Sequence, residues 1–268
     1  MAGDTMMRRT FDSALFRGKV ALVTGAASGI GAGTARAFAD LGAHVIIQDI
    51  DTRQLEQRAK EIGRDCQTIT AIGGDLSACG TADVVFDQAL AAHNRVDFLV
   101  NNAGRSWGVT TDAITMDQTN ELMELNFNSV LWLSKRFIAH GREHGEGGSI
   151  IQISSTAGIA GFQRRAVYCA TKFGVIGLTK VLALDHARDN IRVNAILPHV
   201  VETDMFRAVA TPLDASTWRA GIPMGRFAQV EDVANLAMFL CSPAASYLTG
   251  GLYPVDGGAM AGSFGGEA

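Results

Sequence analysis

The sequence lacks the cysteine spacing of a disulfide-rich or zinc-binding protein. Its four cysteines, Cys66, Cys79, Cys169 and Cys241, are far apart and form no C-x-x-C pair. This arrangement disfavours a disulfide framework or a zinc ribbon, and it is typical of a reducing compartment. We therefore expect a cytoplasmic protein without a metal site.

Long apolar runs and a large excess of one charge are also missing. No stretch approaches the roughly 18 apolar residues of a membrane-spanning helix, and residues 1–17 lack the apolar segment of a signal peptide. The 268 residues carry a formal net charge of −4, which gives no indication of a nucleic-acid partner. We expect a protein that binds neither membranes nor nucleic acids.

Proline is scarce and glycine abundant, with five prolines against thirty glycines. Many glycines indicate tight turns and a close approach of the backbone to a ligand. Short β-branched stretches alternate with longer helical patterns, which predicts right-handed βαβ units and a parallel sheet covered on both faces. The predicted strands are 19–25, 43–50, 66–75, 96–104, 148–155, 190–198 and 252–258, and the predicted helices are 30–42, 51–62, 79–94, 117–144, 165–188 and 230–241.

No linker, repeat or low-complexity segment divides the chain, so we expect one domain. This domain is predicted to cover residues 18–258. Residues 1–17 are predicted to form an N-terminal arm, and residues 259–268 a C-terminal tail; both are expected to be mobile.

The first predicted strand runs into a glycine turn, "TGAASGIG" at 24–31. Its glycines allow a tight turn, and the following helix would offer free N–H groups to a diphosphate, although an ordinary glycine turn is the alternative. Asp49 ends the second strand, 18 residues after Gly31, where an acid can bind the ribose hydroxyls of adenosine and repel a 2′-phosphate. Ser28 and Ile50 stand where an arginine would hold that phosphate, so we expect NAD(H) rather than NADP(H).

"YCATK" at 168–172 puts a tyrosine and a lysine on one face of a predicted helix, because residues four apart lie close together. A tyrosine is a poor acid and base at neutral pH. A nearby ammonium group favours the phenolate, so we expect Lys172 and a bound NAD⁺ to lower the pKa of Tyr168 toward neutrality.

Taken together, these motifs resemble those of the short-chain dehydrogenase/reductase family, in its TGxxxGIG and YxxxK type. The resemblance runs from about Lys19 to Gly258 and implies an α/β, single-domain, three-layer Rossmann fold with a doubly wound parallel sheet of about seven strands. The motifs that carry it are "TGAASGIG", "GDL" at 74–76, "NNAG" at 101–104, Asn126, Ser155, "YCATK" and "LPHVVET" at 197–203.

The resemblance also implies the roles of individual residues. Ser155 would hold the substrate oxygen, Tyr168 would act as general acid and base, Lys172 would bind the nicotinamide ribose, and Asn126 would anchor a water in the proton path. Asp75 and Leu76 would contact adenine, Asn102 and Gly104 the adenine ribose, and Val201 and Thr203 the nicotinamide. The implied cofactor-binding set is Gly25, Ser28, Gly29, Ile30, Gly31, Asp49, Ile50, Asp75, Leu76, Asn102, Ala103, Gly104, Tyr168, Lys172, Pro198, Val201 and Thr203.

The substrate side is less clear from the sequence. His199 stands where the family usually has glycine, so it either crowds the nicotinamide site, lines the substrate pocket or faces solvent. Segment 204–226 is predicted to form the substrate loop, and its few charges favour a small or medium, mostly neutral substrate. The predicted pocket residues are Trp107, Ala157, His199, Met205 and Phe206, although simple packing is an equal alternative for Trp107.

These expectations describe an NAD-dependent oxidoreductase that interconverts a secondary alcohol and a ketone. A 3-oxoacyl-carrier or CoA reductase is an alternative, and a non-catalytic nucleotide sensor is a weaker one. An enoyl reductase is disfavoured because its tyrosine and lysine lie further apart. The resemblance further implies a homotetramer that pairs the helices near 117–144 and 165–188.

Overall fold

The computed structural model describes residues 10–63, 69–145, 147–203, 206 and 212–262. Its seven strands form one parallel sheet in the order β3-β2-β1-β4-β5-β6-β7. The strands are β1 (Val20–Thr24), β2 (His44–Asp49), β3 (Ile69–Gly73), β4 (Phe98–Asn101), β5 (Gly148–Ile153), β6 (Ile191–Pro198) and β7 (Leu252–Val255).

Helices cover both faces of the sheet and connect the strands. They are α1 (Gly29–Asp40), α2 (Thr52–Gly63), α3 (Thr81–His93), α4 (Met116–Met123), α5 (Ser129–His144), α6 (Ala166–His186), α7 (Pro212–Ala220) and α8 (Val230–Cys241). The single-domain Rossmann fold predicted from the sequence is confirmed, and each predicted strand and helix corresponds to an observed one. One feature differs: the predicted helix 117–144 is two helices joined by a π-helical turn, Glu124–Asn128.

The strands are apolar at successive positions because both faces of the sheet are covered. In β1, Ala21 and Val23 belong to the core cluster that includes α1 and α8, whereas Val20 and Leu22 belong to the cluster that includes α3 and α5. β1 and β4 are neighbours in the sheet, but the chain runs outward from β1 to β3 on one side and outward from β4 to β7 on the other. The order of the strands therefore reverses between β1 and β4. A crevice opens at such a reversal, outside the carboxyl ends of the strands, and ligands bind there in this class of fold.

The packed domain begins before residue 18. Phe16, in the segment predicted as an N-terminal arm, is buried and lies 5.0 Å from Phe98 between ring centroids. Its backbone N–H donates to the carbonyl of Leu41 at 2.9 Å. Residues near the end of the predicted arm are therefore part of the core.

One helical stretch, Ala166–Asp189, is long and apolar enough to cross a membrane by length and composition, with a mean hydropathy of 1.5. The expectation concerned continuous apolar runs, and this segment is not one, because Lys172 and Lys180 interrupt it. The inner face of the helix carries the buried polar side chains of Thr171, Lys172 and Thr179, and it packs against β6. This is the arrangement of a core helix that lies on a sheet.

Candidate active site

A cavity of about 530 Å³ lies at the carboxyl ends of the central strands, where the strand order reverses. Every residue of the predicted cofactor-binding set except Gly31 lines this cavity. Ser155, Tyr168 and Lys172 line it as well, and so does His199. The fold therefore brings residues from six separate strand ends to one crevice.

The glycine turn forms one end of the cavity and leads into α1. A Cβ atom built on Gly31 would lie 2.1 Å from the carbonyl oxygen of Gly25, and one on Gly25 would lie 2.8 Å from the Cα of Ala103. No side chain caps the first turn of α1 at Ser28, and this first turn lines the cavity. Uncapped N–H groups at a helix N-terminus suit an anionic diphosphate, so the turn fits the predicted dinucleotide.

Asp49 stands at the end of β2 beside this turn. Its carboxylate accepts hydrogen bonds from the backbone N–H of Ala27 at 3.0 Å and of Asp51 at 3.1 Å. These contacts hold the carboxylate at the cavity wall, where Ile50 follows it with an exposed side chain. Asp75 also lines the cavity, and its carboxylate accepts from the backbone and hydroxyl of Ser77.

Arg58 approaches the glycine turn from α2, which the sequence reasoning did not anticipate. Its Nε donates to the carbonyl of Ala27 at 3.2 Å, and its Nη1 pairs with Glu61 at 2.7 Å. Arg58 lies nine residues beyond Asp49 in the sequence, so only the return of α2 across the turn brings the two close to Ala27. The signal in the sequence was the spacing of Arg58 from the buried Leu55, three residues earlier, which places both residues on the same side of α2.

The "NNAG" segment is braced against β1 by Asn102. The Asn102 side chain donates to the carbonyls of Thr24 at 2.9 Å and Gly25 at 3.0 Å. In return, the Thr24 hydroxyl accepts from the backbone N–H groups of Asn102 and Ala103, both at 3.0 Å. The amide of Asn102 therefore holds the glycine turn in place, while the residue also borders the cavity.

Asn126 lies in the π-helical turn and is fully buried. It is not among the described residues that line the cavity. Its Oδ1 accepts from the backbone N–H of Arg105 at 2.9 Å, and its Nδ2 donates to the Arg105 carbonyl at 2.8 Å. The two bonds clamp the segment that follows β4. A π-helical turn shifts the helical register by one residue, and such turns are frequent at functional sites.

The candidate catalytic residues meet at the ends of β5 and α6. Ser155 hydrogen-bonds Tyr168, and its Oγ accepts from the backbone N–H of Ala157 at 3.1 Å. The Nζ of Lys172 donates to the carbonyl of Ile153 at 2.9 Å and lies 5.7 Å from the centroid of the Tyr168 ring. A buried lysine beside a half-buried tyrosine is an arrangement that proton transfer can use.

The direction of the Tyr168 pKa differs from the expectation. Burial raises the pKa of the Tyr168 hydroxyl above its ordinary value, although the hydrogen bond with Ser155 and the charge of Arg165 oppose this. Burial also lowers the pKa of Lys172 to about 8. Lys172 is not among the groups that lower the pKa of Tyr168, and removing the phenolate from water outweighs the stabilisation that its neighbours provide. The combined effect of Lys172 and a bound NAD⁺ stays a prediction.

His199 is half-buried and lines the cavity, and Thr156 orients its ring. The Thr156 hydroxyl and His199 Nδ1 are 3.0 Å apart, and burial lowers the pKa of His199 below its ordinary value. His199 also lines a second cavity of about 380 Å³, which Arg226 and Asp256 share, so it stands at the common border of the two. The alternative of a solvent-facing loop histidine does not describe this position.

Three other predicted pocket residues, Trp107, Ala157 and Phe206, are not among the described residues that line the cavity. Ala157 is buried beside Ser155, and Trp107 packs under the guanidinium of Arg105, with its Nε1 buried and without a hydrogen-bond partner. Phe206 packs against Phe227 at 4.8 Å between ring centroids, and its backbone N–H donates to the Thr203 hydroxyl. Met205 lies outside the described residues, as does part of the predicted substrate loop.

Among the residues that the structure describes, no group of three or more His, Cys, Asp or Glu side chains is arranged to hold a metal ion. The two histidines at the end of α5, His140 and His144, lie 4.3 Å apart between ring centroids. The Nδ1 of His144 hydrogen-bonds the His140 carbonyl at 2.9 Å, which is a local helix contact.

Comparisons with known proteins identify the family. A family model described as Enoyl-(Acyl carrier protein) reductase matches residues 25–260. The chain is 33% identical to D-threitol dehydrogenase of Mycolicibacterium smegmatis over 241 residues, which cover 90% of this chain and 92% of the relative.

Two solved structures are similar over nearly their whole length. A 3-ketoacyl-(acyl-carrier-protein) reductase from Brucella melitensis, complexed with NADH, is 36% identical with a TM-score of 0.85, covering 91% of this chain and 99% of that one. A protein of Beutenbergia cavernae, named as an NAD(P)-dependent gluconate 5-dehydrogenase and holding NADP at low occupancy, is 36% identical with a TM-score of 0.88, covering 93% and 100%. The chain therefore belongs to the short-chain dehydrogenase/reductase family and is an oxidoreductase that uses a nicotinamide cofactor.

Proposed function

We propose that this protein interconverts a secondary alcohol and a ketone with NAD(H), using Tyr168 as the general acid and base. The observation that carries the proposal is the meeting of Ser155, Tyr168 and Lys172 in the same cavity as the glycine turn and Asp49. One end of this cavity suits an adenosine diphosphate, and the other end offers proton-transferring side chains. A crevice that combines both is suited to hydride transfer coupled to proton transfer.

Each residue has a distinct part in this reaction. A bound nicotinamide would supply the hydride acceptor for oxidation and the hydride donor for reduction. The Tyr168 hydroxyl exchanges a proton with the substrate oxygen, and Ser155, which hydrogen-bonds Tyr168, orients that oxygen. Lys172 is held toward this centre by its bond to the Ile153 carbonyl, from where it reaches the cavity. Asn126 clamps the backbone of Arg105 and thereby shapes the same wall.

The Tyr168 pKa sets the pH dependence of the two directions. Because burial raises this pKa, the hydroxyl is protonated at neutral pH and can donate to a ketone oxygen. Oxidation needs the tyrosine to accept a proton, so its rate should rise with pH. The apparent pKa in such a profile belongs to the coupled system of tyrosine, lysine and cofactor.

The preference for NAD(H) rests on the charge of Asp49. A carboxylate at the ribose end of the cavity favours hydroxyl groups and repels a 2′-phosphate. Arg58 supports the opposite preference, because its guanidinium reaches the carbonyl of Ala27, the residue whose N–H binds Asp49. Its ion pair with Glu61 partly neutralises that charge, so the balance favours NAD(H).

A homotetramer and a cytoplasmic location are part of the proposal. Four large apolar side chains on α5 and α6 are exposed: Trp132 at 44%, Phe173 at 49%, Val181 at 52% and Leu184 at 81%. Apolar surface of this kind is typical of a subunit interface. Cys79, Cys169 and Cys241 are free thiols, which suits a reducing compartment. Light scattering of the purified protein tests the assembly, and a stable monomer would contradict it.

A 3-oxoacyl-carrier or CoA reductase is the second candidate. The likeness to the Brucella melitensis 3-ketoacyl-(acyl-carrier-protein) reductase favours it. The two candidates share the chemistry and differ in the substrate chain. NADH oxidation with a 3-oxoacyl thioester, compared with small cyclic and linear ketones, distinguishes them, because an acyl-chain reductase should prefer the thioester by at least about tenfold.

The decisive experiment for the proposed function is a panel of secondary alcohols and ketones with NAD(H), followed by NADH absorbance. Tyr168→Phe keeps the ring and removes the hydroxyl, so turnover of the best substrate should fall by about 10²-fold or more while NADH binding is retained. Tyr247→Phe is the matched control, because Tyr247 is fully exposed. Near wild-type turnover by Tyr168→Phe would overturn the proposal.

A further inference from the structure

Arg165 stands beside the reaction centre in a position that the cofactor does not explain. It is the residue before α6 begins and lies three residues before Tyr168. Its Nη1 donates to the Ser106 hydroxyl at 2.9 Å, and Ser106 lines the cavity. A Cβ atom built on Gly108 would lie 3.4 to 3.7 Å from three guanidinium atoms of Arg165, so the guanidinium lies beside that glycine.

The charges around Arg165 are unbalanced. Arg105 and Glu121 both line the cavity and form an ion pair with each other. Arg165 forms no ion pair with an acid anywhere in the described part of the chain, and Ser106 is a neutral partner. A guanidinium has five N–H donors, so the bond to Ser106 leaves most of them for a ligand.

The charge of Arg165 also reaches the catalytic tyrosine. It is among the influences that lower the pKa of Tyr168 and so oppose the effect of burial. Its hydrogen-bond partner Ser106 lines the same cavity as Tyr168, so the guanidinium stands at the edge of that cavity. Among the described residues, Arg165 is thus a cation without an acidic partner at the edge of the cavity that holds Ser155 and Tyr168.

We infer that Arg165 binds a carboxylate of the substrate, and that the substrate is therefore a secondary hydroxy acid or the corresponding keto acid. A carboxylate matches the planar fork of a guanidinium in geometry and in charge. The inference rests on the proposed function and adds the substrate class. The proposed substrate is an anion, whereas the few charges of segment 204–226 suggested a mostly neutral substrate. The two differ because Arg165 lies outside that segment.

Matched pairs of substrates test the inference directly. 3-Hydroxybutyrate and 4-hydroxycyclohexanecarboxylate are each compared with their primary amide, at saturating NAD⁺. We expect kcat/KM to favour the acid by at least about tenfold in the wild type, mainly through KM. Arg165→Gln should lower kcat for both members of a pair through Tyr168, so the acid-to-amide ratio is the informative quantity, and it should fall to about one.

Two further variants separate charge from structure. Arg164→Gln removes the same charge one residue earlier, where the side chain is exposed, and it should leave the ratio unchanged. Arg165→Lys keeps the charge without the fork, so it should retain part of the preference. An equal loss of the ratio in Arg164→Gln and Arg165→Gln would overturn the inference in favour of a diffuse charge effect.

A binding measurement gives an outcome that does not depend on turnover. Cyclohexanecarboxylate and cyclohexanecarboxamide are titrated into the enzyme–NADH complex and followed by NADH fluorescence. We expect the acid to bind at least about tenfold more tightly in the wild type and equally in Arg165→Gln. Equal binding of the two in the wild type would overturn the inference. Absence of NAD(H)-linked turnover with every alcohol and ketone would count against the proposed function, while the binding result would still decide the role of Arg165.

Discussion

The two ends of the cavity are built in different ways. The end at β1, β2 and β4 is shaped by backbone: the glycine turn, the first turn of α1, and the bonds from Asn102 to the carbonyls of Thr24 and Gly25. The end at β5 and β6 is shaped by side chains, with Tyr168 and Lys172 from α6 meeting Ser155 and His199 from two other segments.

The backbone end therefore depends on the shape of the chain, and the side-chain end depends on the protonation states of its residues. The backbone end needs space that a Cβ atom would fill, and glycine spacing records that need in the sequence. The side-chain end needs pKa values that suit proton transfer, and burial sets these values. The turn end should therefore respond to changes in volume, and the catalytic end to changes in charge.

After Tyr168→Phe, replacing Lys172 should give the largest effect at the side-chain end. Lys172→Met keeps the length of the side chain and removes the amine, so turnover should fall by about 10²-fold and NADH affinity should also weaken. Lys180→Met is the control on the same helix, because Lys180 is exposed and donates to the Gly250 carbonyl. Steady-state kinetics and NADH fluorescence measure both effects, and equal losses in the two variants would remove the special role of Lys172.

The same variant should change the pH dependence of stability. The pKa of Lys172 is lowered by burial from 10.5 to about 8, so between these values the unfolded state binds more protons than the folded state. Raising the pH through this interval therefore stabilises the wild type through this group, by about 3 kcal/mol at most. Denaturant unfolding from pH 7.5 to about 10.5 should show the wild type gaining relative to Lys172→Met. Parallel pH profiles would contradict the lowered pKa.

At the backbone end, one methyl group should be enough to disturb binding. In Gly31→Ala the new Cβ would lie 2.1 Å from the Gly25 carbonyl oxygen, so the turn must shift. We expect the Kd for NADH to rise by at least about tenfold, with a loss of stability. Gly177→Ala is the control, because a Cβ at that helical position meets nothing within 4 Å. Unchanged NADH binding in Gly31→Ala would show that the turn is not the diphosphate site.

Asp49→Ala tests charge at the end where shape is expected to dominate. The wild type should favour NAD(H) over NADP(H) in kcat/KM by at least about tenfold, and the variant should reduce this gap. Arg58→Ala tests the opposite charge. If Arg58 binds a 2′-phosphate, this variant should have a lower kcat/KM with NADP(H) and an unchanged kcat/KM with NAD(H). Equal kcat/KM with both cofactors in the wild type would contradict the preference for NAD(H) that we attribute to Asp49.

The smallest effect is expected from His199→Gly. This change removes the ring at the border between the two cavities and frees the Thr156 hydroxyl. We expect KM for the substrate to change by about threefold, with NADH binding unaffected, since a pocket wall of this size discriminates modestly. Kinetics that are identical to the wild type for substrates of every size would mean that the ring does not contact substrate.

Much of the fold could be predicted because each element has a local signal. The position of Asp49 at the end of β2 follows from a short apolar strand bounded by a polar residue, and α2 begins at Thr52, where Asp51 accepts from the N–H of Gln54. The π-helical turn at Glu124–Asn128 could not be predicted, because it shifts the helical register by a single residue, and apolar spacing does not reveal so small a shift. The approach of Arg58 to Ala27 was missed because it depends on how α2 packs across the turn.

The sequence by itself determined the order of strands and helices, the glycine turn, and the tyrosine and lysine on one helix face, because each depends on residues that are close together in the chain. Only the tertiary structure decided the direction of the Tyr168 pKa and the position of Arg165 against Ser106. Both depend on water being excluded and on residues meeting from distant segments. Desolvation and the partners of a charge are properties of the packed molecule, and no local pattern encodes them.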